Sequence, residues 1–131
     1  MSEKRFLTPD TLSPPFGYSH VVEAPAGTTV YISGQVPLDA ESQLVGEGDF
    51  EAQTRQVFEN LTRALEAADA SWSDVVKLDY FLRDVGQIAA VRKVRDEYVD
   101  TVNPPASTLV EVSSLFSPDV LVEIQAVAIK A

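Results

Sequence analysis

Cysteine is absent from the 131-residue sequence, which removes disulfides, thiolate-bound zinc and a cysteine nucleophile together and suits a reducing compartment. Histidine is nearly absent as well. His20 stands alone and cannot build a metal site by itself; a Ser-His-Asp arrangement around it stays open, although a lone strand histidine is usually structural or exposed. Basic residues are scarce. Ten Lys plus Arg against twenty Asp plus Glu leave a net charge of −10, which repels a polyanion, so nucleic acid is not an expected partner. Arg92, Lys93 and Arg95 cluster on one predicted helix, interleaved with Asp96 and Glu97, and read as a solvated helix face. No apolar run approaches membrane-spanning length, and the charged N-terminus lacks the apolar core of a signal peptide. No membrane partner is expected, and the cytoplasm is the expected location. The carboxylates lack calcium-loop spacing, and neither a phosphate cradle nor a dinucleotide fingerprint occurs, so neither a metal nor another cofactor is expected.

With 45% hydrophobic and 23% charged residues, the chain has an ordinary globular composition, and its length suits one domain over residues 1–131. The C-terminal stretch is the most informative. Val120, Val122, Ile124, Ala126 and Ala128 are apolar at every second position, so one face of a strand meets a core. The alternate positions hold Leu121, Val127 and Ile129 around Glu123 and Gln125, a face too apolar for open water and too polar for a monomer's interior. Ser107 to Ser113 alternates in the same way.

Prolines and Gly17 make residues 1–17 an extended arm with at most a short edge strand around Phe6. Tyr18 to Ala24 and Thr28 to Val36 read as strands with hairpin spacing, broken by Pro25-Ala26-Gly27. Gly34, inside the second, signals a close approach by a neighbouring chain or a ligand, or else a bulge or strand end. Asp49 is placed to cap a helix that buries Phe50, Val57, Phe58, Leu61 and Leu65 and ends near Asp69. Val75 to Arg83 alternates as a strand, and Asp84 opens a second helix with Ile88, Val91, Val94, Tyr98 and Val102 on one stripe, stopped by Pro104-Pro105. The order is ββαβαββ, an α+β fold in which right-handed crossovers put both helices on one face of a mixed sheet. Five or six strands span roughly 25 Å, and two helices of about 10 Å diameter cover only one face. The other face, with Tyr31, Phe81, Leu109, Leu121 and Val127 among Ser33, Glu111, Glu123 and Gln125, is expected to self-associate.

Tyr18-Ser19, Ile32-Ser33-Gly34-Gln35-Val36-Pro37, the helix from Gln53 to Ala68 with Arg55 and Asn60-Leu61, Val76-Lys77, Pro105-Ala106, Val110-Glu111-Val112 and Val122-Glu123-Ile124 follow one another in an order that resembles the RidA/YjgF family of reactive-intermediate deaminases. The resemblance spans nearly the whole chain. It implies a chorismate-mutase-like fold and a homotrimer with three clefts between subunits. Active members hydrolyse enamines and imines such as 2-aminoacrylate to 2-keto acids and ammonia. In them an arginine directly after the Pro-Ala clamps the substrate carboxylate, a glutamate in the last strand holds the attacking water, and a tyrosine and the Ser-Gly-Gln strand line the cleft. The resemblance places these roles on Tyr18, Gly34 and Glu123, but Ser107 stands at the arginine position, and Ala90 at a second-helix position where deaminases often have asparagine. A serine hydroxyl supplies neither the charge nor the fork of a guanidinium, a loss of roughly 1.5–3 kcal/mol.

Two functions follow. One is a trimer of an arginine-lacking branch that binds a small-molecule ligand at its subunit interfaces without standard deaminase activity. The other is an enamine or imine deaminase in which another basic side chain, Arg83 or a neighbouring subunit's arginine, replaces the clamp. Glu123 either positions water or a ligand, or makes an inter-subunit bond; Ser107 and Thr108 are candidate ligand-binding hydroxyls, and Tyr18 a candidate lid. A ribonuclease role is disfavoured by the acidic charge.

Overall fold

The computed structural model describes residues 3–131. Three short N-terminal residues, β1 (Arg5–Leu7), pair antiparallel with β2 (Val21–Glu23), and the chain continues through β3 (Thr28–Gln35), α1 (Phe50–Ala67), β4 (Val75–Leu82), α2 (Ile88–Arg95), β5 (Ala106–Glu111) and β6 (Val122–Lys130). The main sheet has four strands in the order β3-β6-β4-β5, with β4 and β5 parallel and the other pairs antiparallel. The N-terminal strands form a separate two-stranded ribbon, so β2 does not make the expected hairpin with β3.

Asp49 caps α1 by accepting from the Ala52 N–H at 3.0 Å, satisfying an N–H with no partner inside the helix. The apolar stripe of α1 then packs Val57, Phe58, Leu61 and Leu65 with Val91 and Val94 of α2 against Leu78, Tyr80 and Leu82 of β4 and Val122, Ile124, Ala126 and Ala128 of β6, all buried. Both helices therefore cover the same face. The opposite face carries exposed Tyr31, Lys77, Thr108, Val110 and Gln125 with half-buried Phe81, Glu123 and Val127.

Strand register corrects part of that inventory. Leu109 lies beside Tyr80 and Glu111 beside Leu82, so both sit on the helix side, whereas Thr108 and Val110 join Asp79 and Phe81 on the uncovered side. Alternation alone fixes which residues share a face but not which face it is. The second helix is shorter than its stripe predicts. Beyond Arg95 the chain tightens into turns, with Glu97 N–H donating to Val94 and Tyr98 N–H to Arg95, and Asp100 then accepts from the Val102 and Asn103 N–H groups. That local side-chain capture competes with helix continuation, and Val102 is left 83% exposed.

Candidate functional site

On the uncovered face the feature of interest is built at the junction of β3 and β6. Ile32 pairs with Ala126 and Gln35 with Ile124, so Ser33 and Gly34 together oppose the single Gln125 in a bulge. The bulge brings the Gly34 backbone under the Glu123 side chain; a Cβ at Gly34 would fall inside the Glu123 carboxylate. The close approach expected at this glycine is thus made by the chain's own glutamate. Glu123 lies beside Phe81 of β4, and one strand position away Gln125 donates to Asp79 at 3.1 Å while Lys77 pairs with the same carboxylate at 2.9 Å. Thr108, beside Asp79, belongs to this face.

Ser107 points the other way. It lines a cavity of about 410 Å³ at the open edge of β5, together with Phe16 and Tyr18 from the N-terminal arm, Tyr80, and Ile88, Val91, Arg92 and Arg95 from α2. The arm is held there by Ser19, which is buried, donates its hydroxyl to the Pro104 carbonyl at 2.5 Å and its N–H to Pro105 at 3.1 Å. His20 packs edge-on against Tyr18 with ring centroids 5.4 Å apart, and its Nε2 donates to the Ser13 carbonyl at 2.6 Å. Its partner is a backbone oxygen and its ring a support for Tyr18, which assigns the lone histidine a structural place. Val85, which also lines the cavity, donates its N–H to the Glu111 carboxylate at 2.9 Å.

The α2 wall is basic: Arg92 and Lys93 are exposed, as expected of a solvated helix face, whereas Arg95 is not. Arg92 and Arg95 share a helix face at i, i+3 spacing. Arg92 lies 6.0 Å from the centre of the Phe16 ring, and Arg95, with only 13% of its side chain exposed, binds Asp96 Oδ1 through Nη2 at 2.9 Å and Nε at 3.0 Å. Gly17, at φ +75°, runs against the Arg95 guanidinium so closely that a Cβ would collide with it. Ala90 does not line the cavity. Behind the arginines, the Tyr80 hydroxyl is buried without a hydrogen-bond partner, and burial raises its pKa. The signal that could have found this wall is the i, i+3 pairing of Arg92 and Arg95 on a helix that precedes Ser107 in a right-handed crossover.

The five residues singled out from the sequence therefore separate into two groups. Gly34, Thr108 and Glu123 lie on the uncovered face, and Tyr18 and Ser107 lie in the cavity between α2 and β5. Ser107 and Thr108, being adjacent in a strand, point to opposite sides. A single chain cannot close one pocket around all five. Among the described residues no group of three or more His, Cys, Asp or Glu could hold a metal ion, and no helix is long and apolar enough to cross a membrane.

Comparison with known proteins matches residues 8–130 to the family model described as Endoribonuclease L-PSP. A RutC family protein of Pyrococcus horikoshii is 39% identical over 128 residues, covering 97% of this chain and 98% of its own length. The 3-aminoacrylate deaminase RutC of Acinetobacter baylyi is 38% identical over 125 residues, 95% of this chain and 97% of that protein. A Rid family protein of unknown function from Yersinia pestis superposes with a TM-score of 0.88 at 37% identity over 98% of this chain and 100% of that one. A mixed sheet with two helices on one face, a last-strand glutamate over a glycine bulge of β3, and sequence likeness from the arm to the C-terminus thus converge: the chain belongs to the RidA/YjgF family, with the chorismate-mutase-like α+β fold of its relatives.

Proposed function

We propose that this protein is a cytoplasmic homotrimer that binds a small metabolite in the clefts between its copies and does not perform standard 2-aminoacrylate deamination. The observation that carries the first half is the separation just described. Gly34 and Glu123 sit on a face that the chain's helices leave open, Tyr18 and Ser107 sit at the free edge of β5, and a neighbouring copy docked on the open face is what can bring one group to the other. The second half rests on Ser107, at the position where the family resemblance puts the clamping arginine. A neutral hydroxyl in place of a charged fork forfeits roughly 1.5–3 kcal/mol of carboxylate binding, or about ten- to a hundredfold.

A deaminase reading is favoured by two observations: a relative over nearly the same span is named a 3-aminoacrylate deaminase, and two arginines stand near Ser107. In that chemistry water adds to the imine carbon as its proton passes through a carboxylate such as that of Glu123 to the imine nitrogen; the adduct's hydroxyl proton follows the same route to the amine, and the C–N bond breaks to release ammonia and leave the keto acid. Ribonuclease activity, suggested by the family model's description, is opposed by the net charge of −10. The test is keto-acid release from 2-aminoacrylate generated in situ. The expected rate equals the spontaneous one; a faster rate that Glu123→Ala abolishes would replace the binding reading with the deaminase.

A further inference from the structure

We infer that the cavity between α2 and β5 selects an uncharged ligand: the hydroxyls of Tyr80 and Ser107 donate to the carbonyl oxygen of a small carboxamide. This names the ligand class of the cleft-binding reading and rests on it. Tyr80 is the residue that points to a ligand. Its side chain lines the cavity and is only 3% exposed, yet its Oη has no hydrogen-bond partner, and a buried hydroxyl left unpaired is costly until an acceptor reaches it. Burial also raises its pKa, so it remains a donor at neutral pH. Ser107 pairs with Leu78, and Tyr80 stands two positions further along β4 on the same side of the sheet, so both side chains border one space. Two neutral donors match the two lone pairs of an amide carbonyl oxygen.

The arginines nearby do not make the cavity an anion site. Arg95 commits its Nε and Nη2 to Asp96, a carboxylate that repels a second one, and Gly17 lies against its guanidinium. Arg92 is exposed, and a charge surrounded by water adds little to the binding of another. With Ser107 neutral and a net charge of −10 on the chain, an acid entering the cavity loses its hydration without gaining a paired cation, whereas an amide leaves water at a much lower cost. Ile88 and Leu109 take its alkyl end, and Phe16, at 71% the most exposed apolar residue of the wall, is the part that yields to let it reach Oη.

The full-length protein is titrated with propionamide and with propionate, which match in size and differ in charge, and binding is followed by amide NMR. Propionamide should perturb Tyr80, Ser107 and Leu109, and propionate should bind about tenfold or more weakly. Tyr80→Phe should weaken propionamide about fivefold, the contribution of one neutral hydrogen bond, while the thermal midpoint holds or rises because an unpaired hydroxyl has left the interior; a merely structural hydroxyl would move the midpoint alone. Ser107→Ala should weaken it by a similar factor. Ser107→Arg, which sets a charged fork at that position, should reverse the order of the two probes. Propionate binding as tightly as propionamide, or propionamide indifferent to both Tyr80→Phe and Ser107→Ala, overturns the inference. Perturbation confined to Gly34 and Glu123 does so while leaving cleft binding intact, and no perturbation by either probe up to its solubility limit removes both.

Discussion

Gln53 is a fully buried amide whose hydrogen bonds join three segments. Its Nε2 donates to Gly46 and Asp119 carbonyls at 3.1 and 2.9 Å, and its Oε1 accepts from the Leu121 N–H at 2.8 Å. It thereby fixes where β6 begins, and so where Glu123 falls. Gln53→Leu keeps the volume but orphans three backbone groups, at about 1–3 kcal/mol for each one left dry. Chemical denaturation should show a loss of about 2–5 kcal/mol with the slope unchanged. Gly34→Ala makes a different prediction. The added methyl meets the Glu123 carboxylate, so the glutamate must swing away at a cost of about 1–3 kcal/mol, read as a lower denaturation midpoint with the slope unchanged. Sequence alone marked Gly34 as special and left a close approach, by a neighbouring chain or a ligand, open against a bulge or strand end; the bulge is present, and the close approach is made by the chain's own Glu123, which only a long-range pairing reveals. Gln53 carried no such mark, because a polar residue inside an amphipathic helix reads as a surface position until its partners are known.

Between the elements, α1 and α2 are joined outside the core by charge. Arg55 makes a two-pronged contact with Glu97 at 2.5 and 3.0 Å, and Glu51 lies 3.7 Å from Arg55 and 3.3 Å from Lys93. The hydrogen bond from Arg55 holds the Glu97 carboxyl below its ordinary pKa. A carboxylate with a depressed folded-state pKa adds stability that is complete above the unfolded value and fades as pH falls through the folded one. The expected outcome is that Glu97→Gln lowers the thermal midpoint near neutral pH, that wild type and variant converge in acid below the usual carboxylate range, and that high salt narrows the difference. Calorimetry across pH checks it; a gap unchanged in acid would contradict the assignment. Inside, Phe58 stacks with Tyr98 at 5.1 Å and meets Trp72 at 5.5 Å, so Phe58→Ala should cost about 3–5 kcal/mol. Helix periodicity made α1 legible almost to its ends. The end of α2 was not, because Tyr98 and Val99 still pack after the helix has given way to turns, and an apolar stripe records packing rather than hydrogen bonding.

At the scale of the molecule, the open face decides how the protein exists in solution. Tyr31 is 80% exposed, Val110 is 40% exposed, and Phe81 and Val127 lie between them around Glu123 and the Lys77–Asp79–Gln125 network. Apolar surface rimmed by paired polar groups is the composition expected of a subunit contact; the alternation of β6 placed its own residues on this face, whereas β5, at the sheet edge beyond β4, turns the opposite way from the expectation. The candidate site, by contrast, was illegible as a unit, since Gly34, Thr108 and Glu123 lie on one side of the sheet and Tyr18 and Ser107 on the other. Association and ligand binding should therefore fail together. Light scattering is expected to give three times the 14.3 kDa chain mass, and Val127→Arg, which sets a charge in the middle of the face without touching either half of the cleft, is expected to give monomers. Those monomers should keep their helical circular dichroism, because the core lies on the far side of the sheet, yet carry none of the small molecule that native mass spectrometry finds on the assembled protein. A folded monomer that still carries that molecule would show that one chain completes the pocket after all, contrary to the strand register that sets Tyr18 and Ser107 apart from Glu123.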